Sequence, residues 1–378
     1  MPDPSSRRSA DSQADPLLER CILAFEEAQM PGVEAILAEH PERADELRQM
    51  LQKLGDLGIL VPSSAPVMPE RLGDFRLLRP LGKGGMGIVY LAIQESLQRE
   101  VALKLVRPEQ LFFAGARERF RREVLAVARL DHPGIVPVHT FGEVDGLPFY
   151  AMARLHGVTL GEILQALDGQ SIDDLDGRVL ARGFATAMQR KGEGGGEPTA
   201  PLFDGAWVQA CCQMVREMAL ALQHAHDNGV LHRDVKPSNA ILTARGTVHL
   251  IDFGLASAHG EQRITRSGAT LGSLPYMAPE QVRGAIEDID ARTDVYALGV
   301  TLYELLTLRL PHGDGSGTTR ERILSGRVEP PTRCNARVHA DAEAICLQAM
   351  ELEPHRRYQS AGALADDLGR FLGFEPVL

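Results

Sequence analysis

The chain is 378 residues long, 44% hydrophobic and 24% charged, with a formal net charge of -11. That length has room for two or three domains with a sizeable core, and the composition is that of an ordinary globular protein. The acidic balance argues against a broad electrostatic grip on nucleic acid or anionic membrane, leaving only a local basic groove.

In chain order, residues 1–15 are rich in Ser, Asp and Pro and are expected to be disordered. From Pro16 to about Leu60 the apolar spacing is helical, as in AILAEHPERADELRQMLQKL. This helical extension reads as a small appended bundle, with partner binding or autoregulation as the alternative. Residues 61–72, beginning VPSSAPVMPE, read as a linker.

From Gly73 the period changes. DFRLLRPLG, GIVYLAIQ and EVALKLV are short, β-rich and separated by turn residues. ARERFRREVLAVARL places Phe120, Val124, Val127 and Ala128 on one helical face, and two more strands follow through PFYAMARL. After Thr159 the pattern is helical, with one interruption. The Gly-rich piece QRKGEGGGEPTAP marks about Gln165 to Asp204 as an insertion, read as a disordered surface loop with a specificity element as the alternative. WVQACCQMVREMALALQHAHDNG resumes an amphipathic helix that stops at Asn228-Gly229. The most apolar run, VYALGVTLYELLTLRL, carries a Glu and an Arg and is shorter than a membrane span, so it reads as a buried helix. Five strands with one helix, then a mainly helical half, predict an α+β chain of two lobes with a cleft between them.

Cys21, Cys211, Cys212, Cys334 and Cys346 are odd in number and lack metal-site spacing, which predicts reduced structural thiols. No apolar signal region opens the chain, and the expectation is a cytoplasmic protein without a membrane segment.

The chemistry is concentrated in four places. In LGKGGMGIVY, Gly82, Gly84, Gly85 and Gly87 join strand to strand, unlike the strand-to-helix glycines of dinucleotide sites. They let a hairpin backbone approach phosphate, or they make a flexible hairpin and nothing more. In VALK, alternation puts Ala102 and Lys104 on one strand face, where a cation could reach phosphates or simply sit solvated at an edge. A buried Lys104 needs a carboxylate; Glu123 on the next helix is the candidate and Glu118 its rival. In LHRDVKPSNA, Asp234 can accept a proton and Lys236 can neutralise phosphoryl charge, while Pro237 enforces a loop. Asn239 there, and Asp252 in LIDFGLA, are hard oxygen donors suited to Mg²⁺.

With these residues in this order, the stretch from about Gly73 to Leu372 resembles the eukaryotic-type serine/threonine protein kinase family, in the style of its bacterial members. The motifs carrying the resemblance are the Gly-rich loop, Lys104, Glu123, HRDVKPSN, the DFG at Asp252 to Gly254 and the APE at Ala278 to Glu280. The resemblance implies a bilobal kinase fold over residues 73–372. Its N-lobe, residues 73–153, would hold a five-stranded antiparallel sheet with one helix, and its C-lobe, residues 154–372, would be mainly helical.

It also implies roles. Asp234 would orient and deprotonate a substrate hydroxyl, and Lys236 would support the γ-phosphate. Asn239 and Asp252 would hold Mg²⁺, with Mn²⁺ as an alternative. Lys104 would bind the α/β-phosphates, positioned by Glu123. The nucleotide would be ATP, under the loop Leu81, Gly82, Lys83, Gly84, Gly85, Met86 and Gly87. Val89, Ala102 and Ile241 join Leu81 around adenine, with Met152 behind it and the backbone of Ala153 and Leu155 bonding the base. Here Ala153-Arg154 departs from the family's commoner acidic-then-aromatic pair, which puts ribose and inhibitor preferences in doubt. Ser273, where the family more often has Thr, would bridge Asp234 and Lys236. Glu280 would pair with Arg357, and Asp294 would cap the catalytic-loop backbone. His232, Arg233, Phe253 and Gly254 would support the site.

Arg233 can receive a phosphate from the activation segment, where Thr265, Ser267 and Thr270 carry hydroxyls. Thr265 and Ser267 are the expected autophosphorylation sites, with homodimerisation as the accompanying interaction. Protein Ser and Thr residues are the implied acceptors. A nucleotide-sensing scaffold and a small-molecule phosphotransferase are the competing readings; the first needs a broken catalytic set and the second lacks an APE segment.

Overall fold

The computed structural model describes residues 16–56, 70–84, 87–106, 116–144, 147–194, 198–253, 273–313 and 318–377. Expectations for residues 1–15, residues 57–69, Gly85, Met86, Gly254, Thr265, Ser267 and Thr270 lie outside the described residues. The chain divides into two compact units, Met1–Arg122 with Thr140–Ala151 and Glu123–His139 with Met152–Leu378.

The first unit opens with α1 (Pro16–Glu39) and α2 (Ala44–Asp56), separated by a turn at His40 and Pro41. A sheet follows, built from β1 (Arg71–Leu72), β2 (Phe75–Gly84), β3 (Gly87–Gln94) and β4 (Arg99–Val106). After the helix α3 (Ala116–Val127) come β5 (Val138–Val144) and β6 (Leu147–Ala153). The strand order is β1-β2-β3-β4-β6-β5, antiparallel through β4. Two features differ from expectation. Arg71 and Leu72, assigned to the linker, form a sixth strand, because Gly73 turns at φ +56° and lets buried Leu72 pair with Phe75. Ala128, assigned to the apolar stripe of α3, is exposed because the helix ends at Val127.

The larger correction concerns the N-terminal helices. Alternation on β4 sends Val101, Leu103 and Leu105 to one face and Ala102 and Lys104 to the other. The first face, with Ile88 and Tyr90 of β3 and Leu147 and Phe149 of β6, belongs to one apolar core with Leu18, Ile22, Val33, Leu37, Leu47 and Leu51. The α1–α2 hairpin is therefore a structural part of the first unit, not an appended bundle.

The second unit holds a small sheet, β7 (Gly157–Thr159), β8 (Ala240–Thr243) and β9 (Val248–Leu250), in the order β7-β8-β9. Its helices are α4 (Leu160–Ala166), α5 (Gly177–Arg190), α6 (Trp207–Asp227), α7 (Pro279–Arg283), α8 (Ala291–Thr307), α9 (Thr319–Ser325), α10 (Pro331–Cys334), α11 (Ala340–Ala349) and α12 (Ala361–Leu372). Helix α8 is buried along almost its whole length, and α6 ends at Asn228 with Gly229 at φ +72°. The insertion is largely folded, against expectation. Asp176 caps α5 by accepting from Val179 N–H at 2.8 Å, and Val179, Leu180, Phe184, Ala187 and Met188 are buried. No described helix is long and apolar enough to cross a membrane. None of the five cysteines forms a disulfide, and burial pushes the Cys211, Cys212 and Cys346 thiols up.

Candidate active site

In the first unit, β2 and β3 form the hairpin whose last pair before the turn is Gly84 opposite Gly87. Gly87 cannot be replaced at this closure: its φ is +149°, and a Cβ there would lie 1.8 Å from the Leu105 carbonyl oxygen. Val89 pairs with Lys104 and Leu91 with Ala102, so the hairpin glycines lead into the strand positions expected to meet a base and its phosphates. Lys104 is only 5% exposed, which rules out a solvated edge charge, and its ammonium lies 5.8 Å from the Tyr150 ring centroid. Glu118, the rival carboxylate, is exposed beside Arg122 at 3.9 Å.

In the second unit the loop from His232 to Asn239 converges on one carboxylate. Lys236 Nζ donates to both oxygens of Asp234, at 3.0 and 2.8 Å, and to Ser273 Oγ at 2.6 Å. Ser273 thus meets Lys236 and not Asp234; the ammonium is the bridge. Asn239 Nδ2 donates to the Asp234 carbonyl at 2.8 Å and to Asp234 Oδ2 at 3.1 Å. Because both partners are acceptors, the amide orientation is determined. Asn239 Oδ1 then faces away from Asp234 and takes no partner among the described residues, the arrangement a hard cation needs.

The β8–β9 hairpin brings the second oxygen donor to the same end. Asn239 immediately precedes β8, and the Ile251 N–H, just past β9, donates to its carbonyl at 3.0 Å. Asp252 follows directly, held at φ +59°. Arg233 is the other non-glycine residue of this site with positive φ, at +62°, and such backbone concentrates where side-chain direction matters. A cation held by Asn239 and Asp252 would draw its remaining ligands from water and phosphate, as Mg²⁺ commonly does.

Asp294, at the start of α8 and 1% exposed, holds this loop from beneath. It accepts from the N–H groups of His232 at 2.8 Å and Arg233 at 2.7 Å, and from His226 Nε2 at 2.8 Å. Burial alone would raise its carboxyl, but the His226 hydrogen bond, with the His232 N–H, more than offsets this and holds it below its ordinary value. Burial pushes the His232 imidazole down, so it is neutral; Nδ1 accepts from Asp234 N–H and Nε2 donates to the Ile251 carbonyl. The Phe253 ring packs 4.6 Å from that imidazole.

Glu280 and Arg357, each 2% exposed, form a two-pronged pair at 2.8 and 2.9 Å. In the β6–β7 connection, Met152 is buried and Ala153 and Leu155 are half-buried, while Ile241 lies half-buried on β8.

Sequence reasoning missed several of these side chains. His226 carries no local signature, because its partner Asp294 is distant in the chain. Gln281 links two loops by accepting from Ala278 N–H at 3.0 Å and donating to the Arg233 carbonyl at 2.9 Å. Tyr276, three residues after Ser273, donates to Glu304 Oε2 at 2.6 Å.

Burial raises the Glu304 carboxyl from 4.5 to about 7, the Tyr276 hydrogen bond opposing it. The folded state therefore binds this proton more tightly than the unfolded chain. Its contribution to stability declines as pH rises from about 4.5 to about 7 and is constant beyond. Glu304→Gln removes that decline. Relative to wild type, the variant should gain about 2–3 kcal/mol between pH 4.5 and pH 8. Urea denaturation followed by the fluorescence of Trp207, the only tryptophan of the chain, measures this; an equal difference at both pH values refutes it.

Two family models match the chain, the protein kinase domain over residues 204–368 and the phosphotransferase enzyme family over residues 77–259. The serine/threonine-protein kinase PrkC of Bacillus subtilis is 33% identical over 298 residues, covering 78% of this chain and 40% of that protein. The serine/threonine-protein kinase PknB of Mycobacterium tuberculosis is 33% identical over 316 residues, covering 82% and 44%. The chain thus spans less than half the length of these relatives. Among solved structures, the PknI kinase domain of M. tuberculosis superposes with a TM-score of 0.58 at 28% identity, covering 80% of this chain and 97% of that one.

Proposed function

The chain belongs to the eukaryotic-type serine/threonine protein kinase family, and from that premise we propose that it transfers the γ-phosphate of Mg²⁺-bound ATP to Ser or Thr hydroxyls of proteins. The observation that carries the reading is the bonded set Asp234, Lys236 and Asn239 on one loop, tied to Asp294. Mg²⁺, when bound, neutralises phosphate charge and fixes phosphate geometry.

Asp234 orients the acceptor hydroxyl and takes its proton. Lys236, which already bridges Asp234 and Ser273, offers a positive charge beside the transferred group. Asn239 Oδ1 and the Asp252 carboxylate are the cation ligands, and Asn239 cannot turn away without losing both bonds to Asp234. Lys104 is the first unit's candidate cation for the phosphates, and Glu123 remains the candidate carboxylate that the family resemblance implies for it. The candidate base contacts are Leu81, Val89 and Ala102 in the first unit, and Met152 and Ile241 in the second. The domain carrying this chemistry is residues 73–372. A small-molecule acceptor is disfavoured because the APE segment and the Glu280–Arg357 pair lie beyond the phosphotransferase match and within the protein kinase match. Autophosphorylation at Thr265 or Ser267, between two copies of the chain, belongs to the same proposal, with Arg233 as the cation to receive the phosphate.

Label transfer from γ-phosphate-labelled ATP to a generic basic protein tests the reading. Wild type is expected to transfer, and Asp234→Asn to lower the rate about 10²–10⁴-fold. Equal rates remove Asp234 from its role, and no transfer by wild type favours a nucleotide-sensing scaffold. Phosphopeptide mapping of the same reaction refutes the activation-segment sites if label appears only outside residues 255–275.

A further inference from the structure

Arg154, the residue at which the β6–β7 connection departs from the commoner pattern, is bonded on both sides. It donates through Nη1 to the Leu155 carbonyl and through Nη2 to Glu193 Oε1. Glu193 reaches it because of how α5 ends. Gly192 turns at φ +67°, its N–H donates to the Gln189 carbonyl at 2.9 Å, and the Glu193 N–H donates to the Met188 carbonyl at 3.0 Å. That glycine-closed cap reverses the chain and directs Glu193 back at the connection. Lys191, two residues earlier, reaches the same stretch through Glu162 at 2.8 Å and the Gly157 carbonyl at 3.4 Å. Glu162 in turn closes the capping box of α4 with Thr159.

Burial sets the Arg154–Glu193 pair apart from a surface contact. Both side chains are 9% exposed, where the loss of hydration offsets most of the attraction between the charges. Arg154 Nε is buried with no partner among the described residues, a cost that a purely stabilising pair would not carry. What the pair achieves is occupation of one backbone acceptor, the Leu155 carbonyl, beside the group proposed to bond the base.

Resting on the nucleotide reading above, we propose that Arg154 and Glu193 are specificity-determining positioning residues. They keep the Leu155 carbonyl occupied, so a purine base gains nothing from a second amino group directed at that acceptor. The insertion thereby sets which bases the connection favours.

Calorimetric titration of the full chain with ADP and with its 2-amino analogue tests this. Wild type should bind the two within about twofold. The double variant Arg154→Met, Glu193→Gln leaves no charge buried alone; it should prefer the 2-amino nucleotide by about fivefold, the worth of one freed hydrogen bond. Glu193→Gln alone should shift the ratio in the same direction, and it decides the matter if the double variant binds no ADP. A ratio unchanged from wild type in a variant that still binds ADP overturns the proposal and leaves the kinase reading intact. A fivefold preference already present in wild type also overturns it, because the carbonyl is then free. A wild type that binds neither nucleotide overturns the nucleotide reading and this proposal with it.

Discussion

A variant beginning at Glu70 is expected to be insoluble, or soluble with a first unit that binds hydrophobic dye and melts without a cooperative transition. Six large apolar side chains of α1 and α2, namely Leu18, Ile22, Val33, Leu37, Leu47 and Leu51, lie in the core shared with the sheet. Each contributes about 1.5–3 kcal/mol when fully buried, so together they are worth on the order of 10 kcal/mol, comparable to the whole stability of a typical domain. Their removal also uncovers Ile88, Tyr90, Leu103, Leu105 and Phe149 as one contiguous apolar face. Solubility on expression, dye binding and a thermal melt are the measurements. A soluble truncated chain melting cooperatively within a few degrees of the full one would show the helices to be dispensable.

The helices themselves were legible, because periodicity reports which face of an element is apolar. It does not report what covers that face. Leu37 and Leu47 announce an amphipathic pair, yet nothing local says that the surface they cover is the face of β3 and β4 carrying Ile88, Tyr90, Leu103 and Leu105. Helix α6 was the easiest element, with a long stripe and the Asn228-Gly229 stop. Strands β7, β8 and β9 were missed because three or four residues make no period; Gly157–Thr159 is a strand only because Ile241–Thr243 pairs with it. Helix α5 was obscured by its own continuation, since the glycines after Lys191 dominate the composition of the segment.

The site divides the same way. Asp234, Lys236 and Asn239 could be read together because five residues separate the first from the last and Pro237 forbids a helix. His226, Gln281 and Glu193 could not, since each acts through a partner that only folding supplies. Arg154 was visible as an oddity, but its meaning depends on a glycine-closed helix end nearly forty residues on.

Arg357→Met is expected to lower stability by about 3–5 kcal/mol, the usual consequence of leaving a buried charge without its partner. Glu280 would keep only the Thr293 hydroxyl, at 2.8 Å, of its side-chain partners. The Arg357 guanidinium does more than pair. Nε donates to the Glu351 carbonyl at 2.8 Å, Nη1 also to the Arg292 carbonyl at 3.0 Å, and Nη2 also to the Leu352 carbonyl at 3.1 Å. With the two bonds to Glu280, all five donors are used, and the group stacks 4.9 Å from the Tyr296 ring centroid. A buried pair can often be replaced by apolar residues at no cost; here it cannot, because three backbone carbonyls would lose their donor at about 1 kcal/mol or more each. The double variant Arg357→Met, Glu280→Gln should therefore recover only part of the loss. Glu280→Gln alone should cost less than Arg357→Met, since the three carbonyl bonds survive it. Burial acts to raise the Glu280 carboxyl, but Arg357 more than offsets it and holds it below 4.5. Its contribution is thus present above about pH 4.5 and is lost as pH falls through the lowered value. Urea denaturation at pH 7, read through Trp207, which is buried and donates to the Leu305 carbonyl of α8 at 2.8 Å, gives all three differences. A double variant as stable as wild type would reduce Arg357 to a simple ion-pair partner and remove the carbonyls from the account.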